Sequence, residues 1–193
     1  PVERLATGFT FVEGPVWHGN GYWDFSDIPE NRIHTVTPSG QVDIHREPSG
    51  NSNGLTLDRT GRLLACEHGN RRVSIADERG SVSTLADAFE GKRLNSPNDL
   101  VTHSSGAVYF TDPPYGISPE EQEQPCSGVY RIGPNGHTSL VADDFERPNG
   151  LAFSPDESVL YIDDSYHQHI RAFNIQDDGS LTSGRFFADL SHD

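Results

Sequence analysis

Four short segments of the chain set a carboxylate or carboxamide directly ahead of a small or acidic residue and an apolar stretch. They are Glu13-Gly14-Pro15-Val16-Trp17, Asn53-Gly54-Leu55-Thr56-Leu57, Asn98-Asp99-Leu100-Val101-Thr102 and Asn149-Gly150-Leu151-Ala152-Phe153. One carboxylate and three carboxamides are hard oxygen donors, the set that suits a divalent cation such as Ca²⁺. Zn²⁺ more often takes His and Cys. A cation so held can polarise a carbonyl and lower the pKa of a bound water. Glu13 and Asn149 are the strongest candidate ligands, with Asn98 contributing directly or through a water or substrate. Ca²⁺ is the expected metal, with Zn²⁺ and Mn²⁺ as alternatives. Asn-Gly and Asn-Asp at strand starts also cap turns through their own side chains, a purely structural role.

An acidic residue stands 14 positions after each of those four: Asp27, Glu67, Asp112 and Asp163, the last followed by Asp164. Together with Asn53, the residues Glu67, Asp112 and Asp164 are candidates for the mouth of a channel. Bracing loops through hydrogen bonds is the favoured role for these acids. His68 follows Glu67 directly and is the one histidine placed to contact a substrate. Ser191-His192-Asp193 resembles a catalytic triad only as letters, because triads are geometric and need no adjacency. No Gly-rich phosphate loop and no paired-Cys metal motif is present.

The elements that must position these groups are short strands. Successive openings lie 40, 45 and 51 residues apart, a period that marks a stack or ring of one supersecondary unit. Between them, alternating apolar runs such as Arg62–Cys66 and Arg72–Ala76 are separated by Gly- and Asp-bearing turns such as Asp58-Arg59-Thr60-Gly61. Four antiparallel strands per period make one propeller blade. The units read as roughly 13–50, 51–94, 95–147 and 148–193 of a single domain, 1–193, with Arg4-Leu5-Ala6 as a candidate closing strand. In a blade the start of strand one and the end of strand two share one mouth. The long connection Pro113–Cys126 should overhang it as a lid or specificity loop.

Composition excludes several classes. The formal net charge is −15, with 29 acidic against 14 basic residues, which gives no electrostatic footprint for nucleic acid. No run approaches the roughly 18 apolar residues of a membrane span. Two cysteines, Cys66 and Cys126, make neither a disulfide framework nor a zinc site. A cytoplasmic location is the default expectation, with a periplasmic one as the alternative if a signal segment has been removed.

The four openings, the run Glu67-His68-Gly69-Asn70-Arg71-Arg72-Val73, Asn95-Ser96-Pro97 before Asn98, and Tyr109-Phe110-Thr111-Asp112-Pro113 together resemble the SMP-30/gluconolactonase/LRE-like family. The resemblance implies an all-β, six-bladed propeller of four-stranded antiparallel blades, of which this chain would cover about four. Phe187-Ala188-Asp189-Leu190 matches the stretch that precedes earlier openings, so the ring reads as cut short. The resemblance also implies a metal in the channel and a small-molecule sugar lactone as substrate. By it, Glu13 and Asn149 match metal ligands and Asn98 a metal- or substrate-side asparagine. Asp99 follows Asn98 as in the family, and Arg93 matches a substrate-contacting arginine with looser spacing. A catalytic Asp is expected beyond Asp193, in the Pro-Asp-Gly opening of a later blade. The expected activity is lactone hydrolysis. The alternatives are phosphotriester or ester hydrolysis on the same site, or a non-catalytic binding propeller.

Overall fold

Apolar residues in these strands alternate, so each strand has two faces to bury, and a ring of sheets buries both. The computed structural model describes residues 2–191, and His192 and Asp193 of the triad-like ending lie outside the described residues. Blade I comprises β1 (Val12–His18), β2 (Tyr22–Asp27), β3 (Arg32–Val36) and β4 (Val42–Arg46). Blade II comprises β5 (Ser52–Leu57), β6 (Leu63–Glu67), β7 (Arg72–Ala76) and β8 (Val82–Ala86). A two-stranded ribbon, β9 (Ala88–Phe89) with β10 (Lys92–Arg93), leads into blade III. That blade holds β11 (Leu100–Thr102), β12 (Val108–Asp112), β13 (Ser127–Ile132) and β14 (Thr138–Phe145). Blade IV holds β15 (Pro148–Phe153), β16 (Val159–Asp164), β17 (His169–Asn174) and β18 (Arg185–Asp189).

Each blade is a four-stranded antiparallel meander in sequence order. The first strands face one another in turn, β1 against β5, β5 against β11 and β11 against β15. They therefore line the inside of the propeller. Alternation along β6 sends Leu63 and Ala65 into the core shared with Ile33 of blade I, and Leu64 and Cys66 into the core shared with Phe110 and Tyr130 of blade III. On β12, Phe110 joins that second core while Tyr109 packs with Leu160 and Phe173 of blade IV. Fully burying a side chain the size of Leu64 stabilises the fold by about 1.5–3 kcal/mol. Burial likewise raises the Cys66 thiol well above its usual range, the state of an inert core cysteine.

Residues 2–9, which include the expected closing strand Arg4-Leu5-Ala6, form no strand among the described residues. No strand edge receives this segment in a ladder. Instead it lies across blade I, where Phe9 meets Phe25 edge-on at 4.9 Å between ring centres.

Candidate metal and substrate site

Three of the four openings carry a β-bulge at the same place, between Glu13 and Val16, between Ser52 and Leu55, and between Pro148 and Leu151. A bulge leaves residues unpaired and re-aims a side chain, a device common beside functional sites. The glycines of these openings allow the inner strands to touch. Gly14 has φ +59°, and a Cβ there would collide with the Asn53 carbonyl. Gly54 donates its N–H to the Asn98 carbonyl at 2.8 Å, and a Cβ there would run into the Asp99 carboxylate. Blade III departs from the pattern. Asn98 lies two residues ahead of β11, fixed by its N–H to the Thr111 carbonyl at 2.8 Å. Thr111 also donates its hydroxyl to the Asn149 carbonyl at 2.8 Å, tying blade III to blade IV.

The result is one cavity of about 390 Å³ whose wall includes Glu13, Asn53, Asn98, Asp99 and Asn149. Asn98 is only 3% exposed. None of the hydrogen bonds among the described residues uses the side chain of Glu13, Asn98 or Asn149, so the turn-capping role is not how these groups are used. Asn53 has one such contact, Nδ2 at 3.4 Å from His68 Nε2. Burial, with the nearby charges of Glu13 and Asp163, pushes Asp99 up to about 6, against the pull of the Leu100 and Leu151 N–H groups. Asp163 is raised by burial too, although the Gly150 N–H opposes the shift. Carboxylates crowded at one end of a cavity with free carboxamides make a donor set that fits a hard divalent cation. Among the described residues no group of three His, Cys, Asp or Glu side chains could hold a metal.

His68 is half-buried beside Asn53, and burial lowers its pKa to about 4, so the imidazole is neutral at pH 7. Arg93 stands elsewhere. It is exposed on the β9–β10 ribbon, with its N–H on Glu123 and its guanidinium at 3.4 Å from the Asn70 carbonyl, outside the cavity wall.

The placement of Glu67, Asp112 and Asp164 at a channel mouth is corrected. None of them lines the cavity, and all are buried within the blades. In blades I, II and IV register gives the reason: Asp27 pairs with Val12, Glu67 with Ser52 and Asp164 with Pro148, each one residue before the opening. Neighbours along a strand point to opposite faces, so the acid and the opening residue diverge. Asp27 accepts the N–H groups of Thr10 and Phe11, and Asp164 those of Glu146, Arg147, Tyr166 and His167. Asp112 accepts the N–H of Asn95 at 2.7 Å. Glu67 takes Arg46 at 2.6 Å, Arg72 at 2.7 Å, and the Ser74 hydroxyl and Asn70 amide at 2.5 Å each.

Two contacts at the mouth were not foreseen. Gly116 of the long connection donates its N–H to Ser96 Oγ at 3.1 Å and packs on His68. Its neighbour Tyr115 lies under the Arg147 guanidinium, 5.6 Å from ring centre to Cζ. The loop composition signalled an overhang, but nothing local pairs residues 32 positions apart in the chain.

With this geometry in place, comparison with known proteins gives a consistent result. The family model for the SMP-30/Gluconolactonase/LRE-like region matches residues 11–193. A gluconolactonase of Zymomonas mobilis subsp. mobilis is 37% identical over 95% of this chain, which spans 57% of that protein's length. A solved gluconolactonase structure from Xanthomonas campestris superposes with a TM-score of 0.89 at 38% identity, over 96% of this chain and 65% of that one. Lactonase drp35 of Staphylococcus aureus is 27% identical over 87% of this chain and 52% of its own length.

Proposed function

The chain belongs to the SMP-30/gluconolactonase/LRE-like family, and from that premise we propose that it carries the cation- and substrate-holding side of a lactone hydrolase acting on sugar lactones. The observation that carries this reading is the convergence of Glu13, Asn53, Asn98 and Asn149, from four blades, on one cavity. Gluconolactonase relatives at 37% and 38% identity support the substrate class. A volume of about 390 Å³ sits at the small end of ligand sites, suited to a single sugar ring.

Glu13, Asn98 and Asn149 are the residues that would hold a divalent cation, with Ca²⁺ the best match to their oxygen donors. When bound, such a cation supplies Lewis-acid polarisation of the lactone carbonyl and of a water. The chain's own residues do the rest. The Asn53 and Asn98 amides can donate to ring hydroxyls, and each also offers a carbonyl acceptor. His68, held neutral, contacts substrate without adding charge. Asp99, with its N–H partner Leu100 at 2.9 Å, keeps a carboxyl fixed beside Asn98. The proton-accepting aspartate that the family resemblance implies has no Pro-Asp-Gly counterpart among residues 2–191.

The test is a pH-indicator assay of glucono-δ-lactone opening by the full-length protein, with EDTA and after restoring Ca²⁺, Mn²⁺ or Zn²⁺. Turnover lost with EDTA, restored by one of these ions and abolished in a folded Glu13→Gln variant is the expected result. Metal-independent turnover, or none with any ion, would defeat the reading.

A further inference from the structure

Arg147 has an unusual position for an arginine in a chain of net charge −15. Most other half-buried arginines are spent on carboxylates: Arg32 on Glu47, Arg46 and Arg72 on Glu67, and Arg171 on Asp144; Arg131 is the exception, its guanidinium lying over the buried Tyr109 ring. Arg147 is half-buried too, yet among the described residues no carboxylate oxygen lies within 4.0 Å of its guanidinium. No hydrogen bond uses its side chain either. What holds it is the ring of Tyr115, at 5.6 Å. A guanidinium held over an aromatic ring keeps its in-plane N–H fork pre-oriented and available, the arrangement that takes carboxylate or phosphate oxygens bidentately.

Its location is fixed by three blades. The Arg147 N–H is clamped by Asp164 at the end of β16, and Asn149 of the cavity wall follows two residues later, at most about 7 Å along an extended chain. Tyr115 is positioned through its neighbour Gly116, which is bonded to Ser96 of blade III and packed on His68 of blade II. His68 in turn reaches Asn53. The Tyr115–Arg147 pair is therefore tied to Asn149 of the cavity wall through the chain and to Asn53 through Gly116 and His68.

We propose that Arg147, braced by Tyr115, is a specificity-determining subsite for an oxyanion at the end of the substrate remote from the lactone carbonyl. The preferred substrate is then an anionic sugar lactone. This rests on the lactone-hydrolase reading. Without a cation at that subsite, the carboxylates Glu13, Asp99 and Asp163 would repel such a substrate. The oxyanion is a carboxylate, as in an aldarolactone, or a phosphate ester.

The experiment compares kcat/KM for glucaro-1,4-lactone and 6-phosphogluconolactone with that for neutral glucono-δ-lactone, in the wild type and in Arg147→Gln, Arg147→Lys and Tyr115→Leu. In Arg147→Gln, the ratio of anionic to neutral kcat/KM should fall about tenfold or more, the size of a lost charge-assisted hydrogen bond. Tyr115→Leu should lower that ratio less, and Arg147→Lys should restore part of it, since a point charge lacks the fork. Whichever of the two anionic lactones shows the larger fall identifies the oxyanion. An Arg147→Gln ratio within about twofold of wild type for both would overturn the proposal, because ordinary surface substitutions have effects of that size. Calorimetric binding of glucarate and 6-phosphogluconate separates this from the hydrolase reading. If the wild type opens no lactone, that reading fails, yet affinity for either anion lost in Arg147→Gln still supports the subsite. Equal affinity in both proteins overturns it.

Discussion

Two sets of polar residues recur in this molecule 14 or 15 residues apart, and they end in opposite environments. The residues that open the first strands, Glu13, Asn53, Asn98 and Asn149, face a shared cavity and leave most of their hydrogen-bonding capacity unused by the protein. The acids that close the second strands, Asp27, Glu67, Asp112 and Asp164, are buried and directed at backbone N–H groups or arginines. A strand presents alternate residues to opposite faces, so a one-residue offset in register separates a binding group from a bracing group. Repetition alone therefore does not mark function in a propeller. What marks it is a repeated polar group that the fold declines to satisfy.

The brace set is where substitution should cost most. Glu67 is fully buried and accepts from Arg46, Arg72, Ser74 and Asn70. Burial alone would raise its pKa, but Arg72, Asn70, Ser74 and Arg46 outweigh that and hold it below the usual carboxylate range. Glu67→Ala leaves two guanidinium groups without their counter-ion, a loss of about 3–5 kcal/mol. Urea denaturation of the variant measures it. A loss below about 1 kcal/mol, the range of exposed pairs, would break the distinction between the two sets.

A second prediction sharpens the contrast within the brace set. Asp112 forms no ion pair among the described residues, and burial pushes it up to about 7 against the pull of the Asn95 and Ser96 N–H groups and the Arg71 charge. Its folded pKa lies above the unfolded value of 3.8, so folding favours the protonated carboxyl. Unfolding then releases a proton between those two pH values, and the stability contribution declines as pH rises through that window. Asp164 behaves oppositely. Burial would raise it, but four N–H donors lower it, so its contribution is present at neutral pH and lost on acidification. Asp112→Asn should therefore gain stability relative to wild type by about 2 kcal/mol between pH 5 and pH 7. Denaturation curves at those two pH values would reject this if the gap stayed constant or reversed.

Much of this was legible in the chain and some was not. The openings and the turns between strands are local signals, and β7 spans the same residues, Arg72–Ala76, that alternation picked out. The convergence of the openings follows once they are read as strand-one starts in a ring. The fate of the acids is not local, because it depends on bulges that shift register at Glu13–Val16, Ser52–Leu55 and Pro148–Leu151. Arg93 matched a substrate-contacting arginine by the family resemblance, with looser spacing, yet the β9–β10 hairpin carries it onto the exposed ribbon. Tyr115 and Arg147 meet only because a loop from blade III crosses to blade IV. Sequence pattern identified the polar groups, while register and loop path decided which of them face a ligand.

The opening set should show the reverse balance, and Glu13 tests it most directly. Its carboxylate has no hydrogen-bond partner among the described residues and shares the cavity with Asp99, whose pKa its charge helps to raise. Glu13→Gln keeps the shape and removes the charge. Stability should change by no more than about 0.5 kcal/mol, as for substitutions that break no internal contact. Calorimetric Ca²⁺ affinity should fall about tenfold or more, since carboxylate charge count tunes calcium sites. The two readouts together decide the comparison. A stability loss of several kcal/mol with unchanged Ca²⁺ binding would place Glu13 among the braces, and the two sets would then differ only in exposure. Weaker Ca²⁺ binding in an equally stable fold would mean that the opening set is kept for what it binds rather than for what it supports.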